Sequence, residues 1–390
     1  MNRKLAALTA TLLIALIVLS LFLAINRFSN QTSSRQFYLG VEYAYGNNQT
    51  TQVQVSQIQA LVDKVKDYTN LFVMGSVGLT FDRTALSEAC DYVFNTKLNF
   101  IVLFTGYEMY NYNITQWMYD AKLKYGDRFL GIYRYDEPGG NQLDNEVHRL
   151  INRTIIGTNA TYTNVGNSYV GNLSNIVNYY REHAPVKVFT ADYGLYWFDY
   201  KSDYSTIFAE FVGNESRERH IALCRGAADA FGKDWGVIVT WKYQDQAPYL
   251  ESSDQLYSDL SLAYSSGAKY AIVFSFPQIG TYGTLTDDHF AALHKFWTTL
   301  HSNPASFGSN KPEVAYVVPA DYGFGFRNPN DTIWGLIPAD TLSAKIFEDT
   351  NTTLIARYGS RFDILYDEPQ IIAPLLSNYS QFFYWNQTIT

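Results

Sequence analysis

Short β-rich runs alternate with longer amphipathic stretches from Phe37 to about Pro304, and this alternation restricts the fold more than any other feature. Apolar residues in the stretches recur at helical spacing, for example in residues 54–68. Strands that alternate with helices favour a parallel sheet, because each parallel connection has to cross back over it. The β-rich runs are residues 37–45, 71–75, 100–106, 129–137, 186–194, 206–212, 235–243 and 269–277. Eight such units predict an α/β protein with a (β/α)8 TIM barrel over residues 37–303, although the sixth run could instead begin the helix that follows it.

A second unit follows the barrel. Residues 304–390 contain β-rich runs at 314–319, 362–366 and 382–386, separated by two helical stretches. This β-α-β-α-β order predicts a small C-terminal α/β domain. The segment 138–185, between the fourth and fifth runs, is unusually long for a connection, and we expect either a lid over the barrel mouth or a decorative glycosylated loop.

The N-terminus carries a long apolar segment. Arg3 and Lys4 precede an uncharged stretch from Leu5 to Ile25, which at about 1.5 Å per residue just spans a bilayer core of roughly 30 Å. The segment is longer than a typical signal-peptide core and has only weak cleavage sites. We expect residues 1–27 to form a transmembrane anchor, or else a cleaved signal, followed by a linker over residues 28–36.

Glycosylation motifs suggest which side of the membrane the body occupies. All Asn-x-Ser/Thr acceptors follow the apolar segment: Asn30, Asn48, Asn113, Asn152, Asn159, Asn172, Asn214, Asn330, Asn351, Asn378 and Asn386. We therefore expect a glycoprotein with its body outside the cytoplasm, anchored at the cell surface, or secreted if the segment is cleaved. Cys90 and Cys224 are expected to be free buried thiols rather than a disulfide.

Charge and motifs exclude several functional classes. A formal net charge of −8 and a pI near 5.3 disfavour a nucleic-acid partner. No glycine-rich phosphate loop follows a strand, so no nucleotide cofactor is expected. His289 and His294 are five residues apart and do not share a helix face as metal ligands, and no metal site is expected.

Acidic residues end several of the predicted strands. Active sites of (β/α)8 proteins lie at the carboxyl ends of the strands. Glu42 ends the first strand, Asp136 and Glu137 the fourth, and Glu210 the sixth. These four residues are the candidate catalytic groups.

The sequence Asp136-Glu137-Pro138 also has a structural interpretation. Asp and Glu favour a helix start and Pro tolerates its first turn, so the motif could only mark the end of a strand. A second copy, at Asp367 to Pro369, leads directly into a helical pattern. The first copy runs into Gly139 and Gly140, which favour a sharp turn and keep both interpretations open.

Other residues are candidates for substrate binding. Arg134 shares side-chain parity with Asp136 in a regular strand, and if both face the barrel it would keep Asp136 ionised. Aromatic faces stack on sugar rings, and the aromatic candidates near the strand ends are Tyr43, Tyr135, Trp241 and Tyr243.

An outside-facing barrel with acids and aromatic residues at its strand ends, followed by a small α/β domain, resembles glycoside hydrolases. The large retaining clan of such barrels has Asn-Glu after strand four and a nucleophilic Glu after strand seven. Glu137 matches the first Glu, Asp136 replaces the Asn, and Trp241-Lys242 stands at the nucleophile position. The adjacent Asp-Glu pair is more similar to substrate-assisted hexosaminidases, in which the substrate's 2-acetamido group is the nucleophile.

This resemblance implies a role for each acid. Glu137 would be the general acid/base and Asp136 would orient the acetamido group, with Glu137 protonated because an aromatic wall raises its pKa. The sequence therefore predicts a membrane-anchored, extracellular glycoside hydrolase-like protein with a carbohydrate substrate. The alternative is a catalytically inactive barrel that binds glycans or has a structural role at the cell surface.

Overall fold

The computed structural model describes residues 36–46, 48–106, 110–157, 160–240 and 251–389. Tyr38–Thr390 form one compact unit. The predicted anchor over residues 1–27 and most of the linker lie outside the described residues. In the described part of the chain, none of the helices combines the length and the apolar character that a bilayer crossing needs.

Eight parallel strands close into a barrel, which confirms the predicted (β/α)8 architecture. The strands pair in chain order, and the eighth closes on the first. The sixth run is a strand and is followed by a separate helix. The strands are β1 Tyr38–Tyr43, β2 Leu71–Met74, β3 Asn99–Phe104, β4 Phe129–Arg134, β5 Lys187–Asp192, β6 Thr206–Phe211, β7 Asp234–Val239 and β8 Tyr270–Phe274.

Helices connect the strands and cover the barrel. Several begin with a side-chain cap, such as Asp82, which accepts hydrogen bonds from the amides of Thr84 and Ala85. In this part of the chain they are α1 Thr51–Val65, α2 Val77–Thr80, α3 Arg83–Asn95, α4 Ile114–Tyr125, α5 Pro138–Asp144, α6 Arg153–Ile156, α7 Tyr162–His183, α8 Tyr196–Lys201, α9 Arg217–Phe231, α10 Ser253–Ser265 and α11 Asp287–Ser302.

Large side chains fill the barrel interior. Tyr38 stacks on Tyr270 with ring centroids 4.9 Å apart, and Phe189 stacks on Phe208 at 5.7 Å. The same core also contains Leu71, Val73, Ile101, Tyr133, Ala191, Ile238 and Ile272. Because the core occupies the barrel interior, the polar side chains gather at the carboxyl ends of the strands.

The segment 138–185 is largely helical, and this corrects the prediction of a long loop. The helix α7 occupies 22 of its residues. Its buried stripe, with spacings of three and four residues, is Val165, Tyr169, Leu173, Val177 and Tyr180. Its many Asn, Thr and Gly residues concealed this stripe in the sequence.

The C-terminal residues form a second, smaller sheet. Its three parallel strands are β9 Val314–Val318, β10 Phe362–Tyr366 and β11 Gln381–Tyr384, in the order β10-β9-β11. The described helices here are α12 Thr341–Glu348, α13 Ile355–Tyr358 and α14 Pro369–Leu376, with a π-helical segment, Asp349–Leu354, between α12 and α13. The predicted β-α-β-α-β order is therefore present, whereas the exact domain boundaries stay a prediction.

A buried ion pair joins this sheet to the barrel. Arg225 of α9 donates through Nε to Asp363 of β10 at 2.8 Å, and its other nitrogens donate to backbone carbonyls, including those of Ser360 and Phe362. Both charged side chains are almost completely buried. Cys90 and Cys224 are free and buried, as predicted.

Candidate functional site

A cavity of about 300 Å³ opens at the carboxyl ends of the barrel strands. Alternation along the strands directs Glu42 inward with Tyr38 and directs Glu210 inward with Phe208. Every strand, or the residues directly after it, contributes to the lining: Glu42, Ala44, Gly75, Val77, Leu103, Tyr133, Asp136, Glu137, Ala191, Glu210, Ile238, Thr240, Phe274 and Phe276. The four predicted catalytic carboxyl groups therefore share one cavity.

The turn between β4 and α5 directs Glu137 into this cavity. Tyr135 and Glu137 adopt positive φ angles of 60° and 49°, so the regular strand ends at Arg134 and the chain turns sharply. Pro138 begins α5, yet the side chain of Glu137 does not cap that helix. The motif thus starts a helix and also leaves the carboxyl group of Glu137 available to the cavity.

Asp192 at the end of β5 holds this turn in place. Its carboxylate accepts hydrogen bonds from the amides of Gly139 and Gly140, the latter at 2.9 Å, and from those of Tyr193 and Gly194. The amide of Glu137 also donates to the Ala191 carbonyl at 3.1 Å. Burial raises the pKa of Asp192 to about 6, whereas these hydrogen bonds, which stabilise the carboxylate, act to lower it.

Glu137 and Glu210 lie within hydrogen-bonding reach of each other. Burial and the neighbouring carboxyl groups raise the pKa of Glu137 to about 8 and raise that of Glu210 well above its usual range. A raised pKa was expected for Glu137, with an aromatic wall as its cause. The structure instead attributes the rise to burial and to the neighbouring acidic side chains. Two such carboxyl groups cannot both ionise without strong repulsion, so at neutral pH the pair retains at least one proton.

Glu42 lies in the same cavity, against Gly75. Its pKa is raised to about 8 by burial, with a further contribution from Asp136. A Cβ at position 75 would overlap the Glu42 carboxyl oxygen, so only glycine allows this approach. Among the described residues, no cationic side chain contributes to the shifts of the four carboxyl groups.

Asp136 is held by Tyr133. The Tyr133 hydroxyl donates to Asp136 Oδ1 and accepts a hydrogen bond from the Ala191 amide at 3.1 Å. Burial raises the pKa of Asp136, and the hydrogen bond from Tyr133 opposes this effect. Because Asp136 is exposed at the cavity mouth, water screens its charge and weakens this upward shift.

The predicted pairing of Arg134 with Asp136 is absent from the part of the chain that the structure describes. Tyr133 faces the barrel interior, so its neighbour Arg134 points outward, where its Nε donates to the Tyr180 hydroxyl at 3.1 Å. Positive φ at Tyr135 interrupts the alternation that would have placed Arg134 beside Asp136. Arg134 therefore does not hold Asp136 ionised.

Arg134 and Tyr135 instead line a neighbouring cavity of about 660 Å³. The two cavities share the lining residues Val77, Leu103, Tyr133 and Asp136. Asn141 and His148 line the far part. Together the cavities form an extended cleft, and both predicted binding residues remain in a position to contact a ligand.

Tyr43 does not line this cleft. It is fully buried between the barrel wall and α1, where its hydroxyl donates to Gln57 Oε1 at 2.7 Å. This placement contradicts a binding role, because Tyr43 has the outward parity on β1. Trp241 and Tyr243 lie outside the described residues, so their role stays a prediction.

The sequence did not reveal several residues of the site. Phe276, which is 40% exposed, presents an aromatic ring at the cavity mouth, and Tyr133 and Gly75 position the acids. The position of Phe276 directly after β8 was the signal that could have identified it. The second Asp-Glu-Pro copy is structural: Glu368 accepts hydrogen bonds from Trp197 Nε1 at 2.7 Å and Lys201 Nζ at 2.8 Å.

Known structures share this architecture. The chain is similar to alpha-L-fucosidase isoenzyme 2 from Paenibacillus thiaminolyticus, with 11% identity and a TM-score of 0.50 over 85% of this chain. It spans only 58% of that protein. It is also similar to a GH5_18 from Bifidobacterium longum subsp. infantis, with 10% identity and a TM-score of 0.51 over 90% of this chain and 97% of the other.

A further neighbour carries a bound sugar. It is a GH5_18 from Bifidobacterium longum subsp. longum in complex with Manb1-4GlcNAc, with 10% identity, a TM-score of 0.51, and coverage of 91% of this chain and 97% of the other. No family model and no curated protein sequence matches the chain. At these identities the similarity shows the fold, which is a (β/α)8 glycoside hydrolase-like barrel.

Proposed function

We propose that this protein is a glycoside hydrolase that acts on glycans, with Glu137 as its general acid/base. The observation that carries the proposal is the contact between the carboxyl groups of Glu137 and Glu210 in the cavity at the barrel mouth. A pair that shares a proton at neutral pH supplies one acid and one base. Glycoside hydrolysis requires these two groups on either side of the scissile bond.

The short separation favours a retaining reaction. Inverting enzymes keep their carboxyl groups about 6.5 to 9.5 Å apart to admit a water molecule, whereas retaining pairs are about 5 Å apart. Groups within hydrogen-bonding reach leave no room for that water. Glu210 is 4% exposed, whereas Glu137 is half-buried nearer the mouth, where a leaving group could reach it. We therefore assign Glu137 as the acid and Glu210 as the nucleophile, an arrangement in which the one proton that the pair retains resides on Glu137 and Glu210 is the carboxylate.

A substrate-assisted route through Asp136 is the second form of the same proposal. Asp136 adjoins Glu137 and is held by the Tyr133 hydroxyl, which suits a group that orients a 2-acetamido substituent. The two routes differ in the covalent intermediate. A 2-deoxy-2-fluoro glycoside would label Glu210 only if that residue is the nucleophile.

A non-catalytic glycan-binding protein is the alternative function. In the retaining clan the nucleophile follows strand seven, whereas here β7 ends at Val239 and is followed by Thr240. The extended cleft with Tyr135 and Phe276 would still bind a glycan without cleaving it.

The proposal includes a body that lies outside the cytoplasm and is held by residues 1–27. Exposed acceptor asparagines support it: Asn48, Asn113, Asn172, Asn214, Asn330, Asn378 and Asn386. Asn351 is different, since its amide donates to the Phe347 carbonyl and its oxygen accepts from Arg219. We expect Asn351 to remain unglycosylated, which peptide mapping of the expressed protein would show.

A substrate screen tests the function. The full chain and its Glu137→Gln variant would be incubated with aryl β-mannosides, aryl α-L-fucosides, aryl 2-acetamido-2-deoxyglucosides and Manβ1-4GlcNAc. Hydrolysis of one class by the wild type, at least 100-fold faster than by the variant, is expected. Equal rates would remove Glu137 from the chemistry, and glycan binding without hydrolysis would favour the alternative function.

A further inference from the structure

A second, smaller cavity lies beside the cleft, between the barrel loops and the C-terminal residues. Its volume is about 180 Å³. At a liquid share of about 30 Å³ per water, this corresponds to roughly six waters, enough for a single sugar ring. It is lined by Asp144, Tyr193, Val212, Glu215, His220 and Arg327. Of these, Arg327 comes from the C-terminal part of the chain, whose function the sequence left open.

His220, one of the residues that line this cavity, has a buried ring nitrogen without a hydrogen-bond partner among the described residues. The imidazole is 1% exposed, and its Nδ1 lies 2.8 Å from the Tyr196 hydroxyl. Its Nε2 is buried without a hydrogen-bond partner among the described residues and lies 3.9 Å from a carboxyl oxygen of Glu215. Burial and nearby arginines lower the pKa of His220 well below its usual range, so the ring is neutral.

A hydroxyl group would complete this arrangement. When Tyr196 donates to Nδ1, the neutral ring carries its proton on Nε2 and can donate it. Because Nε2 has almost no exposed surface, a hydroxyl oxygen would reach it after a small shift of the Glu215 side chain, and would then accept from the imidazole and donate to the carboxylate. A buried donor left unpaired is costly, so the site favours a ligand that satisfies it.

The charges around the cavity favour a neutral ligand. Arg327 pairs with Asp144 and with Asp331, and Arg219 pairs with Glu215. Each guanidinium is thus already matched by a carboxylate, which leaves no surplus positive charge for a phosphate, sulfate or carboxylate group. Carboxylates and guanidinium groups that are arranged in pairs can still accept from and donate to sugar hydroxyls.

Tyr193 and α5 connect this cavity to the catalytic turn. The Tyr193 ring packs against Gly140, where a Cβ would overlap it, and its hydroxyl donates to Asp144 Oδ2 at 3.0 Å. The helix α5 leads from Glu137 to Asp144, a rise of about 10 Å at 1.5 Å per residue. An oligosaccharide that binds at Glu137 would have to span about this distance to place a further sugar unit in the cavity.

We propose that this cavity is a subsite for a neutral sugar unit of an oligosaccharide, recognised by His220, Glu215, Asp144 and Arg327. The inference rests on the proposed function, since the same glycan would occupy the cleft. It gives the C-terminal residues a role in selecting longer substrates.

The test compares substrates of different length. Chitotriose and mannotriose, and the aryl monoglycosides of the same sugars, would be offered to the full-length wild type and to the variants Asp144→Asn and His220→Gln. We expect the ratio of kcat/KM for the trisaccharide to that for the monoglycoside to fall at least 10-fold in both variants. Asp127→Asn, at the opposite end of the barrel, is the matched control and should leave the ratio unchanged.

Equilibrium binding separates this inference from the proposed function. If no sugar is hydrolysed, the same trisaccharides would be titrated calorimetrically into the wild type, Asp144→Asn, His220→Gln and Glu137→Gln. Binding that weakens at least 10-fold in Asp144→Asn but persists in Glu137→Gln supports the subsite even in a non-catalytic protein. An unchanged ratio or affinity in Asp144→Asn and His220→Gln, or no binding of either sugar, overturns it and assigns the cavity to water.

Discussion

The carboxyl groups of Glu137 and Glu210 lie within hydrogen-bonding reach of each other, although they follow different strands of the barrel. Glu210 reaches the cavity because it has the inward parity of β6, whereas Glu137 reaches it because a left-handed turn follows β4. Regular strand geometry and a local departure from it thus bring the two acids together.

Replacement of Glu42 by Gln should change how stability depends on pH. The pKa of Glu42 is about 8 in the folded protein and near 4.5 when unfolded. Between these values the folded state binds a proton that the unfolded state releases, so this stabilising contribution is complete below pH 4.5 and is lost as pH rises through 8. Since Gln stays neutral, the variant should exceed the wild type by a few kcal/mol at pH 9.

Urea denaturation at pH 4.5 and pH 9 measures this difference. At pH 4.5 the wild type and Glu42→Gln should have similar free energies of unfolding. Glu88→Gln, at an exposed position of α3, serves as the control and should show no such pH effect. A variant that is less stable than the wild type at pH 9 would mean that Glu42 is ionised and well solvated.

Gly75→Ala should displace Glu42. The added Cβ would overlap the carboxyl oxygen and lie 2.8 Å from the Glu42 Cδ. Overpacking of this kind costs about 1 to 3 kcal/mol. The double variant Gly75→Ala/Glu42→Ala should be more stable than the sum of the single changes predicts, because the clash is then absent.

A helical glycine with open space provides the contrast. Gly171 lies in α7, and no atom lies within 4 Å of the position that an added Cβ would occupy. Because alanine loses less backbone freedom than glycine when a helix forms, Gly171→Ala should stabilise the protein by up to about 1 kcal/mol. Thermal denaturation of Gly75→Ala, Glu42→Ala, their double variant and Gly171→Ala would check both expectations. Additive effects at positions 75 and 42 would show that the two residues do not touch.

Asp192→Asn should impair catalysis through the turn that carries Glu137. Asn offers one acceptor oxygen where the carboxylate accepts several amide hydrogen bonds. We expect kcat to fall about 10- to 100-fold, since a displacement of about 1 Å costs that much, while KM for an aryl monoglycoside changes little. Asp82→Ala, which removes the cap of α3, should lower stability and leave kcat unchanged. Equal kcat values for the wild type and Asp192→Asn would exclude a positioning role.

Asp363→Asn should destabilise the barrel and the small sheet together. The change leaves the Arg225 guanidinium buried without its carboxylate, which costs about 3 to 5 kcal/mol. Chemical denaturation should show one cooperative transition at lower denaturant concentration. Lys66→Ala removes an exposed ion pair with Asp63 and should leave the midpoint of the transition nearly unchanged. Two separate transitions would show that residues 304–390 unfold independently.

The fold followed from the sequence because its signals are local and repeated. Each of the eight predicted runs contains a strand, since β-rich residues and helical spacing identify these elements without long-range information. The helix α7 was missed because its polar and glycine residues outnumber the apolar stripe that packs on the barrel. In that segment, packing of the apolar stripe on the barrel outweighs the low helix propensity of the Asn, Thr and Gly residues.

The site followed from the sequence only in part. Glu42, Glu210 and Glu137 could be placed at the mouth because strand ends meet there in any parallel barrel. The pairing of Arg134 with Asp136 failed because positive φ at Tyr135, a non-glycine residue, has no clear sequence signal. The contacts of Asp192 with Gly139 and Gly140, and of Gly75 with Glu42, join distant parts of the chain and needed the structure.

The role of Glu137 as a general acid is tested most directly by varying the leaving group. The values of kcat/KM for wild type and Glu137→Gln would be measured on aryl glycosides whose phenols range from acidic to weakly acidic. Because weakly acidic phenols need protonation as they depart, we predict a loss of about 100- to 10,000-fold for them and a much smaller loss for the most acidic phenol. An equal loss across the series, or no loss, would contradict the assignment of Glu137.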